Sequence, residues 1–330
     1  MLYVETDSKD AAFHFSVEEY IMKSLPVDEP VMMIWQTGKC AMLGSYQVAE
    51  AEIDMRYAKE AGIQVVRRPS GGGTIFTDLG TFLYTMIQPY EQGIHPLQIA
   101  RDTVAPLIVF ALNEMGVPAK AEGRNDILLE GKKISGMAQY IRHGKICSHG
   151  SLLYDTDLEA LASALKVDEE KISSKALRSI RSRVTNIKEH MKNPCEAGEF
   201  EAQLKEKLHE GREMVKYTLT KSDLSEIESI FREKYGNPEW TFGKSPEFSF
   251  NNGKRFSGGK VEVSVDVKEG AVAACFIRGD FLGTVPISGL EGLFKGRAFR
   301  REAFVEALEG VELHYYLGSV TSEEFLSVCF

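Results

Sequence analysis

Three short stretches of this chain combine residue types in patterns that suit anion chemistry. The first is Arg67-Arg68-Pro69-Ser70-Gly71-Gly72-Gly73-Thr74. Three consecutive glycines cost conformational entropy, and close approach of the backbone to a ligand is the usual reason to keep them. Successive N–H groups in such a bend form a nest that suits phosphate or carboxylate. Arg67 and Arg68 beside it can add permanent, forked positive charge. The same residues would also serve as a tight strand-to-strand bend flanked by two surface arginines.

The second stretch is Gly123-Arg124-Asn125-Asp126, followed by Gly131-Lys132-Lys133-Ile134-Ser135-Gly136. An Asn-Asp pair can hold magnesium through oxygen ligands. A lysine can neutralise charge spread between a carboxylate and an α-phosphate as a mixed anhydride forms. Ser135-Gly136 leaves room for a ligand beside that lysine, although a charged hairpin edge would look the same. The third stretch, Arg178 to Asn186, carries Arg178, Arg181 and Arg183 within a basic run over 175–183. A solvated face is the ordinary use of such a run. In a chain of net charge −9, an anionic ligand would also explain it. None of the stretches is a GKS/GKT phosphate loop or a dinucleotide-binding fingerprint. Together they suggest nucleotide phosphates meeting a carboxylic acid outside the common nucleotide folds.

The elements that must position these groups follow from periodicity. Phe13, Val17, Ile21 and Leu25 recur every fourth residue, which predicts a core-facing helix over 10–25. A hairpin is expected over 31–43, turning at Thr37-Gly38-Lys39. A short helix should run from Asp54 to a left-handed cap at Gly62. Strands are expected over 63–67, 74–77 and 82–87. A helix over 97–115 should end at Gly116 and kink at Pro106. Strands over 126–130, 133–141 and 145–154 should form two tight hairpins, and helices are expected near 158–165, 199–210 and 222–235. The segment 236–246, with Pro238 and Pro246, reads as a boundary. Beyond it Val261, Val263, Val265 and Val267 alternate with polar residues, which marks a half-exposed strand turning back into 271–277. Two short helices should follow, the last with a capping box at Thr321-Ser322-Glu323-Glu324. The pattern predicts a large α/β domain and then a small α+β domain.

Composition narrows the function. The length of 330 residues suits two domains, and 43% hydrophobic with 26% charged residues is ordinary for a soluble globular protein. No apolar run is long enough to span a bilayer, and the first residues do not read as a signal peptide, so a cytoplasmic protein is expected. The acidic balance argues against a nucleic-acid partner. Cys40, Cys147, Cys195, Cys275 and Cys329 are scattered without metal-ligand spacing, which suggests reduced, mostly buried thiols.

Four separated motifs, RRPSGGGTIF (67–76), GRNDILLEGKKISGMA (123–138), HGSLLYDTDL (149–158) and SIRSRVTNI (179–187), resemble the lipoate–protein ligases of the biotin/lipoate ligase superfamily. The resemblance covers essentially the whole chain. It implies a mixed-sheet catalytic domain over 1–245 and a small α+β accessory domain over 246–330. It also implies a two-step reaction, in which lipoate and Mg-ATP give lipoyl-AMP and an acceptor lysine then takes the lipoyl group. The acceptors would be lipoyl domains, such as those of the E2 subunits of 2-oxoacid dehydrogenases, or the glycine-cleavage H protein. Such a ligase is expected to be a monomer with no membrane partner.

Carried over by position, Lys133 contacts both the lipoyl carboxylate and the α-phosphate. Arg68, Ser70, Gly71, Gly72 and Gly73 line the adenylate, with Thr74, Ile75 and Phe76 along the nucleotide. Asn125 and Asp126 handle phosphate, with Asp126 on magnesium, and Ser135, Gly136 and Ala138 flank the lysine. His149 and Gly150 close the pocket, and Arg183 ends the adenylate-binding region 175–183. Two departures stand out. Thr77-Asp78-Leu79-Gly80-Thr81 replaces the family's His-Asp-x-Gly-Asn. Ser45-Tyr46-Gln47-Val48 stands where a basic residue and Gln-Asn are common. The rival readings are an ATP-independent lipoyl or octanoyl transferase working through a cysteine, for which Cys147 is the one candidate, a biotin ligase, and a non-catalytic lipoate-binding paralogue.

Overall fold

The structure is a computed structural model that describes residues 1–26, 28–47, 49–123, 125–165, 183–210, 213–242, 250–268 and 270–330. Its strands are β1 (Leu2–Val4), β2 (Val31–Trp35), β3 (Cys40–Leu43), β4 (Gln64–Arg67), β5 (Ile75–Thr77), β6 (Thr81–Pro89) and β7 (Ala119–Glu122). They continue with β8 (Asp126–Leu129), β9 (Lys132–Arg142), β10 (Lys145–Leu153), β11 (Val215–Tyr217), β12 (Phe250–Phe256), β13 (Gly259–Lys268) and β14 (Ala271–Gly279). An eight-stranded mixed sheet has the order β11-β1-β2-β6-β10-β9-β8-β7, parallel around β1 and antiparallel from β2 onward.

Side-chain alternation makes both faces of that sheet apolar. Met32, Ile34, Phe82, Tyr84 and Met86 face one core, which the helices Ala105–Glu114 and Ala197–His209 cover. Val31, Met33, Trp35, Leu83 and Ile87 face the other, covered by helix Ala11–Lys23 and by Lys221–Ile230 with its continuation Phe231–Tyr235. Asp10 caps helix Ala11–Lys23 by accepting from the N–H groups of Ala12 and Phe13. A small second sheet, β4-β3-β5, packs against the helices Met55–Glu60 and Leu158–Ala164.

The strands over 31–43 exist, but they do not form a hairpin. β2 pairs with β1 and β6, whereas β3 pairs with β4 and β5 in the other sheet. Both strands are buried along their whole length, so each needs ladder partners on both sides. The N–H of Gly38 accordingly bonds to the carbonyl of Lys9 rather than across a turn. Pro106 is absorbed by a seam: residues Ala100–Val104 are π-helical, and the Ala105 N–H bonds five residues back to Ala100. The hairpins at Glu130-Gly131 and His143-Gly144 have positive φ at both residues, the conformation a two-residue reverse turn requires.

The last unit is the antiparallel meander β12-β13-β14 under four helices, where the pattern predicts two. The edge strand β12, FNNGKRF, carries too few apolar residues to be read in advance. The capping box at Thr321 and Glu324 is complete. This unit packs directly on the first. Tyr46 stacks on Phe281 at 4.9 Å, its hydroxyl donates to the Val285 carbonyl at 2.9 Å, and the Ile141 N–H donates to the Thr284 carbonyl at 2.6 Å. Among the described residues, no helix is long and apolar enough to cross a membrane.

The first core is tied to helix Ala197–His209 mainly through Phe200, fully buried with its ring 4.0 Å from Tyr154 and 5.2 Å from Phe82. Phe200→Ala should lower stability by roughly 3–5 kcal/mol, read as a reduced urea midpoint with an unchanged slope.

Candidate active site

The floor of the main cleft is built by register. Trp35, Leu83, Ser151, Gly136 and Asp126 lie opposite one another across β2, β6, β10, β9 and β8, and Thr85, His149 and Ala138 form the next row. Ser151, Gly136 and Ala138 are small, so the sheet leaves a hollow of about 780 Å³, its open mouth included. Phe15, Trp35, Met42, Ile75 and Leu83 give one end of the hollow an apolar lining, and Asn125, Lys133, Gly136 and Ala138 form the other.

Lys133 reaches this floor because β9 contains a bulge. Ile127 pairs with Ser135 and Leu128 with Lys133, so Ile134 has no partner on β8. The extra residue reverses the alternation. Ile134 and Met137 both join the first core, while Lys133 and Gly136 both line the cleft. The Lys133 Nζ lies 2.7 Å from Asp126 Oδ1, and both side chains are partly exposed. The Lys133 backbone is pinned from the other side, its N–H donating to the Arg183 carbonyl at 2.8 Å and its carbonyl accepting from Thr185. Asn125 closes this end, its amide donating to the Met137 carbonyl at 2.7 Å.

The glycine loop roofs the cleft, and Arg68 shapes it. Arg68 is only 5% exposed and gives its donors to Ser70 Oγ and to the carbonyls of Met42, Gly71 and Gly73, at 2.8–3.1 Å. Burial, with Arg67 adjacent, pulls its pKa down to about 10. Arg67 turns away from the cleft and donates to the carbonyls of Gly44, Ser45, Gln47, Trp240 and Thr241. The Gly72 N–H, expected in an anion nest, donates to the Phe281 carbonyl at 2.9 Å. A Cβ on Gly71 would stand 2.6 Å from that carbonyl, and one on Gly72, at φ +92, would stand 3.1 Å from Leu282. Part of the demand for glycine here therefore comes from the C-terminal unit.

Of the residues expected at a site, Arg68, Gly72, Gly73, Thr74, Ile75, Asn125, Lys133 and Gly136 line the cleft, as do Ala138, His149 and Gly150. The others stand behind it. Ser70 is fully buried with its hydroxyl 2.6 Å from His149 Nε2, and Phe76 belongs to the core of the small sheet. Ser135 bonds to the Tyr84 hydroxyl, Asp126 meets the cleft through Lys133, and Arg183 is exposed with its carbonyl on Lys133. Lys175, Arg178 and Arg181 lie outside the described residues. Gly150 is required because a Cβ there would collide with the Tyr84 hydroxyl.

The described residues of both departures make contacts within the protein, and Val48 lies outside the described residues. Thr77 bonds to the Thr37 hydroxyl at 2.7 Å, and Thr81 bonds to Asp78 and Thr156, all buried away from the cleft. Tyr46 docks the C-terminal unit, while Gln47 accepts from the Gly44 N–H and the Thr74 hydroxyl. Sequence reasoning missed Phe15, Trp35, Met42, Leu83 and Leu282 as cleft residues, since each reads as ordinary core. It also missed Glu18, which is buried below the cleft and bonded to His149.

A cation at one end of an apolar slot, under a glycine roof on a mixed sheet, is a site shaped for a ligand with an anionic head and an apolar tail. The chain matches the lipoyl protein ligase A/B catalytic domain over residues 10–209 and the bacterial lipoate protein ligase C-terminus over 245–328. It is similar to the lipoate-protein ligase LplJ of Bacillus subtilis, 35% identical with all of both chains covered. A solved lipoate-protein ligase A bound with ATP resembles it at 26% identity and a TM-score of 0.64, over 73% of this chain and 98% of that one. So does a bi-partite lipoate protein ligase from Thermoplasma acidophilum, studied with its E2 lipoyl domain, at 27% identity and 0.68 over 76% and 98%. The chain belongs to the lipoate–protein ligase family.

A Cβ on Gly136 would stand 2.8 Å from the Lys133 Nζ and 2.9 Å from its Cε, the flexible end of that side chain. Gly136→Ala should therefore fold normally but displace the ammonium. The expected result is a wild-type thermal transition with at least tenfold lower turnover, by the usual sensitivity of reacting groups to misplacement.

Proposed function

We propose that this chain adenylates lipoate with ATP and transfers the lipoyl group to a lysine of a lipoyl-domain acceptor, with residues 1–245 as the catalytic unit and 246–330 as its accessory. The observation that carries the reading is Lys133, set by the β9 bulge at the polar end of an apolar slot. The dithiolane tail would lie among Phe15, Trp35, Met42, Ile75 and Leu83, which leaves the carboxylate beside the ammonium. In the first step a carboxylate oxygen attacks the α-phosphorus and pyrophosphate leaves. Charge then spreads over the carboxylate and phosphate oxygens, and Lys133 offsets it on leaving Asp126. In the second step the acceptor amine attacks the carbonyl carbon, the bond to the AMP oxygen breaks, and AMP leaves.

Among the described residues, Asp126 is the carboxylate that meets Lys133 at the polar end, next in sequence to Asn125. A single carboxylate suits magnesium that arrives already bound to nucleotide phosphates, because that ion keeps few protein ligands. When bound, it would supply charge neutralisation on the departing pyrophosphate, with Asp126 as its protein ligand. An E2 lipoyl domain as acceptor is supported by the Thermoplasma relative studied with one, and the glycine-cleavage H protein is a second candidate.

A thioester transferase fits less well. Cys147 is fully buried, and burial together with the Glu18 carboxylate pushes its thiol well above the ordinary range, which removes the thiolate a nucleophile needs. The test is lipoate-dependent ATP–pyrophosphate exchange without acceptor. The wild-type protein should exchange. Lys133→Ala should lose exchange while keeping its urea midpoint, and exchange at the wild-type rate in that variant would overturn the assignment.

A further inference from the structure

Beneath the cleft, a line of buried polar groups joins the first helix to the glycine loop. Glu18 is fully buried on helix Ala11–Lys23 and accepts from the Thr85 hydroxyl at 2.7 Å. Both its carboxylate oxygens stand 3.0 Å from His149 Nδ1. His149 Nε2 stands 2.6 Å from Ser70 Oγ, which also accepts from Arg68 Nε at 3.1 Å. A carboxylate and a guanidinium, both out of water, thus face each other through a histidine and a serine. Neither Glu18 nor Ser70 lines the cleft.

We propose that Glu18 is a positioning residue that fixes the ring of His149 and, through Ser70, the shape of the glycine loop. A carboxylate only accepts, so Nδ1 carries a ring proton, and in the neutral imidazole Nε2 then accepts from the Ser70 hydroxyl. That leaves the lone pairs of Ser70 Oγ for Arg68, whose remaining donors hold Gly71 and Gly73. Ser70 is then a clamp on the loop and not a donor to substrate. The relay also places the negative charge of Glu18 and the positive charge of Arg68 at two ends of one satisfied chain, which neither buried group could manage alone.

The neighbours fit this role. Cys147 is a thiol beside Glu18, and the rings of Phe15 and Tyr140 lie 6.0 and 5.9 Å from the His149 ring. Glu18, Cys147 and His149 also bring potential metal-ligand atoms within 4.8 Å of one another. Both ring nitrogens are already committed, however, and the thiol is held protonated, so the cluster is better matched to proton positions than to a cation.

The test pairs a spectroscopic signature with kinetics. With 15N-histidine labelling, the wild-type protein should show one strongly downfield N–H proton from His149 Nδ1, and Glu18→Gln should lose it. The Gly71, Gly72 and Gly73 amide resonances should shift in Glu18→Gln, and this readout does not depend on turnover. The kinetic arm rests on the ligase reading. In it Glu18→Gln should exchange with a kcat roughly 10–100-fold lower and a little-changed KM for lipoate, because loop geometry is lost while the apolar slot is kept. Thr85→Val, which removes a second donor to Glu18, should keep the downfield proton, because His149 Nδ1 still meets the carboxylate. If Glu18→Gln does not fold, Ser70→Ala breaks the relay at its uncharged middle, and it should retain the downfield proton but lose kcat to a similar degree. The proposal fails if the wild-type signal is absent, or if folded Glu18→Gln or Ser70→Ala keeps wild-type kcat and loop resonances. Absence of exchange in the wild-type protein would instead sink the ligase reading and leave the resonances to decide the relay.

Discussion

A guanidinium taken out of water must be given acceptors, and Arg68 finds them in the backbone of the loop that follows it. That requirement determines much of the site. The loop must curl back so that the carbonyls of Gly71 and Gly73 reach one nitrogen, and Gly72 then adopts a left-handed conformation that other residues resist. Because Arg68 directly follows β4, the small sheet fixes where the curl begins. The shape of the glycine roof therefore has a cause internal to the protein. Any ligand beneath it meets a preformed surface.

The floor is made by omission. A mixed sheet with two apolar faces would ordinarily fill itself with large side chains, as it does along β2 and β6. Along one stretch of β9 and β10 the residues facing helix Ala11–Lys23 are Gly136, Ala138, His149 and Ser151, three of them small, and the missing volume becomes the cleft. A single unpaired residue, Ile134, then turns Lys133 toward that space instead of toward the core. Hydrophobic packing, register and charge placement are one construction here, and each part fails without the others.

Much of this was legible in the sequence, though unevenly. Asp10, Asp54 and Thr321 announced helix starts because an N-terminal cap is a local matter of one side chain and the next backbone amides. The paired turns at Glu130-Gly131 and His143-Gly144 announced hairpins for the same reason. Lys133 and the glycine loop were found because charge and triple glycine are rare enough to stand out. What escaped depended on distant partners. The segment over 31–43 looked like a hairpin, yet its strands serve two sheets. Glu18 falls off the apolar stripe of its helix and would be assigned to solvent, but that helix is buried on nearly every side. Arg67 and Arg68 are adjacent and chemically identical. Only the fold sends one to the glycine loop and the other to the carbonyls of Trp240 and Thr241.

The bond between the Gly72 N–H and the Phe281 carbonyl, with Leu282 beside it in the cleft wall, joins two units that a single covalent chain also connects. The tether makes that docking a first-order event. Its strength is set by an effective local concentration, commonly in the millimolar range for short connections, and not by how much protein is present. A contact built from several hydrogen bonds, the Tyr46–Phe281 stack and Leu282 is therefore well populated at any protein concentration. Encoded as two separate polypeptides, the same surfaces would become sensitive to dilution, and the composition of one wall of the cleft would vary with expression level.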